Sequence, residues 1–365
     1  MAAKCEARRK IWLYRRRGAA GNIDPLSARP RYGRYLAPCD VARDRLPGWN
    51  RVPTRAVKGV MVKVLLCHNP NAGNKGHDRE SIEAALKLAG HDVRYSSVKD
   101  DKFVSSFEKS VDLIVAAGGD GTIATVLTQI PDRSVPVAIL PLGTANNFAR
   151  SLGIAGTPQE LVEMWKPEHT CPVALGSATG HWGTSLFLEA YGVGVFPQFL
   201  LDAKKGKKPE GARNLQQGRS LLAKALKRAK PIEVTLTIDG KSYERELLGV
   251  EVCNIVFTGP GLPLAATADV SDDKLDIVMF EADERKALMD WLESPQDDKP
   301  PVAYRKGSKI AVTFRDAPTR LDDESYEATG GKHSIDLVCE EVPLNIVIPV
   351  QHPAQKTPEK KATAA

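Results

Sequence analysis

A glycine-rich turn lies at residues 118–122, where the chain reads Gly-Gly-Asp-Gly-Thr. Because glycines lack Cβ atoms, the backbone N–H groups of such a turn can approach an anionic oxygen closely. The apolar run 111–117 predicts a buried strand before the turn, and residues 123–127 predict a helix after it, whose N-terminus adds partial positive charge. Asp120 would repel a bare phosphate, so we expect a divalent cation or a ribose hydroxyl beside it. The turn therefore predicts a site for a metal-bound nucleotide.

Two further strand-to-loop units have the same layout. An apolar run at 62–67 leads into a polar loop at 68–76, and another at 135–140 leads into residues 141–150. In open parallel sheets, ligands bind beyond the carboxyl ends of the strands, where the strand order reverses. We therefore expect the three loops to converge on one nucleotide.

The elements that position these loops alternate between strand and helix from residue 63 to about 172, which predicts a doubly wound α/β domain. Within it, Thr157 is a suitable N-cap for a helix from Pro158 to Trp165. After Pro172 the sequence changes to strand-like runs separated by turns, including 187–191 and 247–257. This pattern predicts an antiparallel β-sandwich as the second domain.

Charge divides the chain further. Residues 1–60 contain 15 Lys+Arg against 4 Asp+Glu, which leaves a net charge of −5 for the remaining chain. We predict a disordered basic extension at 1–60, a nucleotide-binding domain at 61–172, a lipid-substrate domain at 173–350 and a disordered tail at 351–365. The last strand of the substrate domain could also join the sheet of the first domain.

The same charge distribution bears on partners and location. The mildly acidic remainder of the chain disfavours a nucleic-acid partner. No apolar run approaches the roughly 18 residues that a bilayer span needs. We therefore expect a cytoplasmic protein whose membrane contact, if any, is peripheral. The sequence does not define the oligomeric state, and a homodimer is one option.

The three loops, in this order and spacing, resemble the catalytic-domain signature of the diacylglycerol kinase and sphingosine kinase superfamily, most closely its small bacterial lipid kinases. The matching stretches are 69–73, 118–122 and 141–150. The resemblance implies a phosphofructokinase- or NAD-kinase-like first domain and Mg²⁺-dependent transfer of the γ-phosphoryl group of ATP to a lipid hydroxyl, by default that of diacylglycerol. Two alternatives stay open: an NAD kinase, which shares the glycine turn, and a catalytically weak homologue that binds nucleotide or lipid for regulation.

The resemblance also assigns residues. Phosphoryl transfer needs a phosphate cradle, a metal site and a carboxylate that accepts the proton of the acceptor hydroxyl. Segment 321–324, Leu-Asp-Asp-Glu, resembles the family's Asp-Gly-Glu motif, which makes Glu324 the candidate general base and Asp322 its partner, with Asp120 as the third catalytic candidate. The implied nucleotide-binding residues are Asn69, Gly73, Ser96, Gly118, Gly119, Asp120, Gly121, Thr122, Gly143, Thr144 and Asn146.

Two other stretches are candidates for a metal and for a membrane. Residues 269–276 resemble a family loop that holds a magnesium ion, with Asp269 and Asp272 as the candidate ligands. A basic stretch begins after Asp202, and lysines near an anionic leaflet favour binding to it. The lysines that we expect to contact an anionic membrane are Lys204, Lys205, Lys207 and Lys208.

Several positions depart from the family pattern. Ala124 and Thr125 stand where many relatives have Asn-Glu, Asn147 stands at a usual aspartate, Asp323 replaces the glycine of Asp-Gly-Glu, and Pro197 replaces another aspartate. Each change removes a carboxylate or a glycine from the expected cleft. These departures are the reason for keeping the catalytically weak homologue as an alternative.

Overall fold

The computed structural model describes residues 61–70, 78–205, 215–295 and 299–350. The predicted extension at 1–60 and the predicted tail at 351–365 lie outside these residues. Within the described ranges the strands form three six-stranded sheets.

The first sheet is mostly parallel and has the order β2-β1-β3-β4-β18-β5. Its strands are Lys63–His68 (β1), Asp92–Ser97 (β2), Leu113–Gly118 (β3), Val137–Pro141 (β4), Thr170–Val173 (β5) and Leu344–Val347 (β18). The chain moves from β1 to β2 on one side and then to β3 on the other, so the strand order reverses beside β1. Every residue of β3 is buried, as its unbroken apolar run predicts. Near the end of the chain, β18 returns to this sheet, where Ile346 pairs with Val137 of β4.

Four helices and one 3-10 helix connect these strands. They are Arg79–Leu88 (α1), the 3-10 helix Val104–Glu108, Asp120–Gln129 (α2), Asn147–Ser151 (α3) and Pro158–Met164 (α4). The predicted N-cap is confirmed: Thr157 Oγ1 accepts the N–H of Glu160, and the Glu160 carboxylate accepts the N–H of Thr157 in return. Helix α2 starts inside the glycine turn and buries Ile123, Val126 and Leu127 against the sheet.

The other two sheets are antiparallel and form a β-sandwich. The second sheet has the order β10-β9-β14-β17-β6-β7 and the third has the order β13-β12-β11-β8-β15-β16. Their strands are Gly176–Gly180 (β6), Gly183–Phe187 (β7), Ala190–Gly194 (β8), Ile232–Ile238 (β9), Lys241–Leu247 (β10), Gly249–Cys253 (β11), Leu275–Phe280 (β12), Ala303–Gly307 (β13), Lys309–Arg315 (β14), Thr319–Leu321 (β15), Glu324–Tyr326 (β16) and Lys332–Cys339 (β17). Side chains such as Leu236 and Val312 pack against Val193 and Val250 between the sheets. The predicted fold class, an α/β domain followed by an antiparallel sandwich, is confirmed.

Three helices cover the outer face of the third sheet. They are Val195–Lys205 (α5), Leu215–Arg228 (α6) and Arg285–Trp291 (α7). Leu222 and Leu226 of α6 pack with Phe196 of α5 and Phe280 of β12 in a separate apolar cluster. None of the helices in the described ranges combines the length and the apolar character needed to span a membrane.

Two predicted strands are each divided in the structure. The run 187–191 contains the end of β7 and the start of β8, because the chain crosses there from the second sheet to the third. The run 247–257 contains the end of β10 and all of β11, and its last residues lead into a loop. Apolar patterning identifies buried strands but does not show where a chain leaves one sheet for another.

Candidate active site

Hydrogen bonds join the three predicted loops at the carboxyl ends of β1, β3 and β4. The Asn69 amide donates to Thr122 Oγ1 at 3.1 Å, and the Asn69 N–H donates to the carbonyl of Ala117 at 3.2 Å. The N–H of Leu142 donates to the carbonyl of Gly118 at 2.8 Å. The loops after β1 and β4 thus both lie against the glycine turn, as the strand order requires.

Two glycines allow the loops after β3 and β4 to touch. A Cβ atom placed on Gly143 would lie 2.6 Å from Cα of Gly119, closer than nonbonded carbon atoms can approach. Asn146 has a left-handed backbone with φ of 48° and folds its side chain back onto the loop. Its Oδ1 accepts the Gly143 N–H at 2.8 Å, and its Nδ2 donates to the Gly143 carbonyl at 3.0 Å. Asn146 therefore shapes the loop, while Thr144 is exposed beside it.

The remaining predicted nucleotide contacts lie at the same edge of the sheet or outside the described residues. Ser96 is buried near the end of β2, in register with Cys67 of β1. Gly118 lies against Thr122, since a Cβ on Gly118 would come within 2.4 Å of the Thr122 Cβ. Gly73 belongs to the segment 71–77, which lies outside the described residues.

Asp120 is the first residue of α2 and faces the β-sandwich across a cleft. Its Oδ1 accepts the N–H of Phe148 at 3.1 Å, which ties the glycine turn to the start of α3. Burial raises the pKa of Asp120 to about 7, and the nearby carboxylate of Glu189 adds to this rise. Asp120 thus lies where a bound cation would offset an excess of negative charge.

The β15–β16 turn carries the acids on the opposite side of the cleft. Asp322 has a left-handed backbone with φ of 50°. Its carboxylate accepts the backbone N–H groups of Leu188 at 2.9 Å, Glu189 at 2.7 Å and Ala190 at 3.2 Å. These bonds fix the turn to the segment that crosses between sheets. Burial raises the pKa of Asp322 to about 7, although the N–H groups of Leu188 and Glu189 oppose the rise.

The next two acids of this turn point to different places. Asp323 lines the cleft, and its Oδ2 would lie 3.0 Å from a Cβ placed on Gly121 of the glycine turn. Glu324 is exposed on β16, where its Oε2 accepts the hydroxyl of Tyr326 at 2.8 Å. Asp120, Asp322 and Asp323 therefore share the cleft, whereas Glu324 is not among the residues that line it.

A buried arginine behind the turn was not identified from the sequence. Arg320 is 1% exposed, and its guanidinium binds Glu251 Oε2 at 2.7 Å and Glu189 Oε1 at 3.0 Å. It also donates to the carbonyl of Asp322 at 2.7 Å and to the hydroxyl of Thr258 at 2.6 Å. The only signal in the sequence is the adjacency of Arg320 to the acidic segment, because its side-chain partners lie 62 to 131 residues away.

A second feature that sequence reasoning missed is a mainly apolar cavity of about 370 Å³ at one end of the sandwich. Phe314, Leu321 and Ile335 line its wall, and Trp182 and Tyr326 line it while remaining 46% and 48% exposed. Its size is in the range of small-molecule sites. The β15–β16 hairpin thus separates two spaces, since Leu321 lines the cavity and Asp323 lines the cleft.

In the loop predicted to hold magnesium, a lysine side chain lies between two of the carboxylates. Asp269 Oδ1 accepts the N–H and the hydroxyl of Ser271. Lys306 Nζ lies 2.8 Å from Asp272 Oδ2 and 3.6 Å from Asp276 Oδ2, so its ammonium takes the place between the two carboxylates. A divalent cation would have to displace this ammonium, which repels it, and the magnesium site at Asp269 and Asp272 stays a prediction.

Of the lysines predicted to contact a membrane, two are described. Lys204 and Lys205 end α5 and are exposed, and Lys205 forms an ion pair with Glu327 at 2.8 Å. Since Glu327 lines the apolar cavity, Lys205 lies beside the cavity. Lys207 and Lys208 lie outside the described residues.

Fold and site together define a two-domain protein of the phosphotransferase class, in which the glycine turn at 118–122 faces an acid-bearing turn of a β-sandwich. Residues 63–178 match the model of the diacylglycerol kinase catalytic domain, and residues 212–334 match that of the YegS C-terminal NAD kinase beta sandwich-like domain.

Individual proteins are similar as well. The "Probable lipid kinase YegS-like" protein of Shewanella frigidimarina is 30% identical over 265 residues, which cover 68% of this chain and 82% of that protein. The diacylglycerol kinase of Bacillus subtilis is 27% identical over 60% of this chain and 74% of its own length. A crystal structure of a diacylglycerol kinase from Bacillus anthracis has a TM-score of 0.56 at 26% identity, covering 77% of this chain and 96% of that one.

The chain belongs to the diacylglycerol-kinase-like family of lipid kinases. It is accordingly a kinase that transfers a phosphoryl group to an alcohol acceptor, and the resemblance stated from the three loops is confirmed.

Proposed function

We propose that this protein is a cytoplasmic, ATP-dependent lipid kinase that transfers the γ-phosphoryl group to the hydroxyl of diacylglycerol or a similar glycerolipid. The observation that carries this proposal is the apolar cavity. It lies on one side of the β15–β16 hairpin, and the turn of this hairpin faces the glycine turn at 118–122, which is the proposed nucleotide cradle. An acyl chain in this cavity would place its polar end near the turn, within reach of a nucleotide held by the three loops. NAD lacks an acyl chain that such a cavity would bind.

In this proposal the chain's residues share the chemistry as follows. Backbone N–H groups of the glycine turn hold the phosphates. Glu324 accepts the proton of the lipid hydroxyl as the hydroxyl oxygen attacks the γ-phosphorus and ADP leaves. Tyr326 holds the Glu324 carboxylate through its hydroxyl while its ring lines the cavity. Asp322 positions the turn through the three backbone N–H groups that it accepts.

The cleft also suits Mg²⁺, which enters with the nucleotide. Asp120 and Asp323 would supply the hard oxygen ligands that Mg²⁺ prefers, because Asp120 begins α2 and Asp323 lies close to Gly121 of the same turn. The ion would neutralise charge on the phosphate oxygens. A cation there would also offset the repulsion that contributes to the raised pKa of Asp120.

Incubation of the protein with [γ-³²P]ATP, Mg²⁺ and a mixed lipid extract tests the proposal. We expect labelled product in the organic phase, and mass spectrometry of that product would identify the acceptor lipid. NAD is offered in a parallel reaction. Formation of NADP without labelled lipid would overturn the proposal in favour of an NAD kinase, and nucleotide binding without any transfer would favour a regulatory homologue.

Membrane contact is part of the proposal, because diacylglycerol resides in bilayers. Trp182 and Tyr326 are exposed at the cavity, and amphipathic aromatic side chains favour the membrane interface. Lys204 and Lys205 lie on the adjacent helix end, where they would attract anionic lipid. Sedimentation with phosphatidylserine vesicles should weaken in Lys204→Ala/Lys205→Ala but not in Lys87→Ala, which alters a surface lysine of α1. Equal sedimentation of both variants would exclude these lysines from membrane binding.

A further inference from the structure

One side chain links the two sides of the catalytic cleft. Glu189 lies between β7 and β8, is 5% exposed and lines the cleft with Asp120. Its Oε2 accepts the side-chain amide of Asn147 at 2.8 Å. Its Oε1 accepts the Arg320 guanidinium at 3.0 Å, the N–H of Gly259 at 3.0 Å and the hydroxyl of Thr258. The backbone N–H of Glu189 donates in turn to the Asp322 carboxylate at 2.7 Å.

Asn147 brings the loop after β4 into this arrangement. It is the first residue of α3 and is 2% exposed. Its Nδ2 donates both to Glu189 Oε2 and to the carbonyl of Gly259 at 2.9 Å, and these two acceptors fix the orientation of the amide. In the motif that this loop resembles, the same position is usually an aspartate. An aspartate here would put two carboxylates in contact, at a cost that burial increases.

We propose that Asn147 and Glu189 are a positioning pair. Glu189, on the sandwich, supplies the carboxylate that the loop after β4 lacks at position 147. The pair fixes the acid-bearing turn against the glycine turn that holds the nucleotide. The pair acts through its neighbours. The Asn147 side chain holds the loop after β4. The backbone N–H of Glu189, together with Arg320, holds the turn that carries Asp322 and Glu324. The role in turnover rests on the lipid kinase activity proposed above.

The hydrogen-bond polarity of the pair makes it testable by reversal. Asn147→Asp places two acceptors together, and Glu189→Gln lets two amide donors meet, while the remaining side-chain oxygen of the introduced glutamine can still accept from Arg320. In the double variant, the introduced glutamine can donate to the introduced aspartate, so one buried bond of the opposite polarity is restored. Asn345→Asp is a matched control, because Asn345 donates its amide to the Arg133 carbonyl at 3.1 Å, away from the cleft.

The first measurement is steady-state kinetics of lipid phosphorylation. We expect each single variant to lower kcat by about tenfold or more with the KM for ATP changed less than about threefold. The double variant should lose less than the product of the two single losses, with a residual loss because an aspartate cannot donate to the Gly259 carbonyl. Asn345→Asp should keep wild-type kcat. Losses that multiply in the double variant, or a wild-type kcat in Asn147→Asp, would overturn the inference.

The second measurement needs no turnover. Thermal unfolding of the same full-length proteins should show lower midpoints for both single variants and recovery in the double variant. If wild-type protein phosphorylates no lipid, the proposed function fails, yet this cycle still tests the pair. A double variant no more stable than the weaker single variant would then overturn the inference by itself.

Discussion

The hydroxyl of Tyr326 donates to Oε2 of Glu324 at 2.8 Å, and the tyrosine ring lines the apolar cavity. The two residues are separated by one position on β16, so their side chains leave the strand on the same face. Burial, together with the Glu324 carboxylate, raises the pKa of Tyr326 to about 12, so the phenol remains a donor at neutral pH. The candidate base is therefore held by a side chain that the acceptor would touch.

Replacement of this base tests its role directly. We expect Glu324→Gln to bind ATP normally and to lose about 10²- to 10⁴-fold in kcat, because the amide cannot accept the proton. Binding is measured by calorimetry and turnover by labelled lipid. Glu233→Gln is the matched control, since Glu233 is an exposed glutamate of β9 that lines neither the cleft nor the cavity. Near-normal turnover of Glu324→Gln would remove Glu324 from the role of base.

Gly143 is expected to be required for the nucleotide cradle. In Gly143→Ala the new Cβ would lie 2.6 Å from Cα of Gly119, so the backbone of one loop must move. In Gly119→Ala the closest approach is 3.2 Å, which needs a smaller shift. We therefore predict a larger loss of ATP affinity for Gly143→Ala than for Gly119→Ala in a fluorescence titration. The reverse order would show that the contact between these loops does not govern binding.

Lys306 is expected to replace a metal ion in the loop around Asp272. Lys306→Met leaves the carboxylates of Asp272 and Asp276 without their cation, and we expect a loss of about 1–3 kcal/mol in the free energy of unfolding. Millimolar Mg²⁺ should recover part of this loss, because the oxygens then become available to it. Denaturant titration with and without Mg²⁺ measures both effects, with Lys309→Met as the control. Equal stabilisation of wild type and Lys306→Met by Mg²⁺ would contradict the prediction.

Asp120 should produce a pH dependence of stability. Its pKa is about 7 in the folded protein and near 4 in the unfolded chain, so the folded state binds the extra proton between these values. The stability that this protonation contributes is complete below pH 4 and is lost as the pH rises through 7. The Asp120→Asn side chain does not titrate. The thermal unfolding midpoint of this variant minus that of wild type should therefore rise from pH 4 to 7 and then level off. The measurement is made in chelator without nucleotide, and a constant difference across this range would disprove the assignment.

Tyr191 tests whether the cavity holds the acceptor. Tyr191 lines the cavity, and its hydroxyl is buried and has no hydrogen-bond partner among the described residues. We expect Tyr191→Phe to unfold at the wild-type temperature or slightly above, because an unsatisfied buried hydroxyl costs free energy. The KM for the lipid should nevertheless rise about threefold to tenfold if the acceptor lipid accepts a hydrogen bond from this hydroxyl. An unchanged KM would place the polar end of the lipid elsewhere.

The sequence by itself determined the parts of this protein that depend on local order. The buried run before Gly118 and the glycines after it define a strand, a turn and a helix within about twenty residues, and the same reasoning located the loops after β1 and β4. The split of the run 187–191 between two sheets was missed, since neighbouring residues carry no sign of a change of sheet.

Only the tertiary structure decided which side chains meet across the chain. Arg320 reaches Glu189 over 131 residues, Asn147 reaches Glu189 over 42, and Lys306 meets Asp272, although nothing in the spacing of these residues indicates a contact. The cavity is likewise formed by residues from several strands of two sheets. Charge pairing and cavity shape depend on distances in space, and these follow from strand order and sheet packing rather than from local pattern.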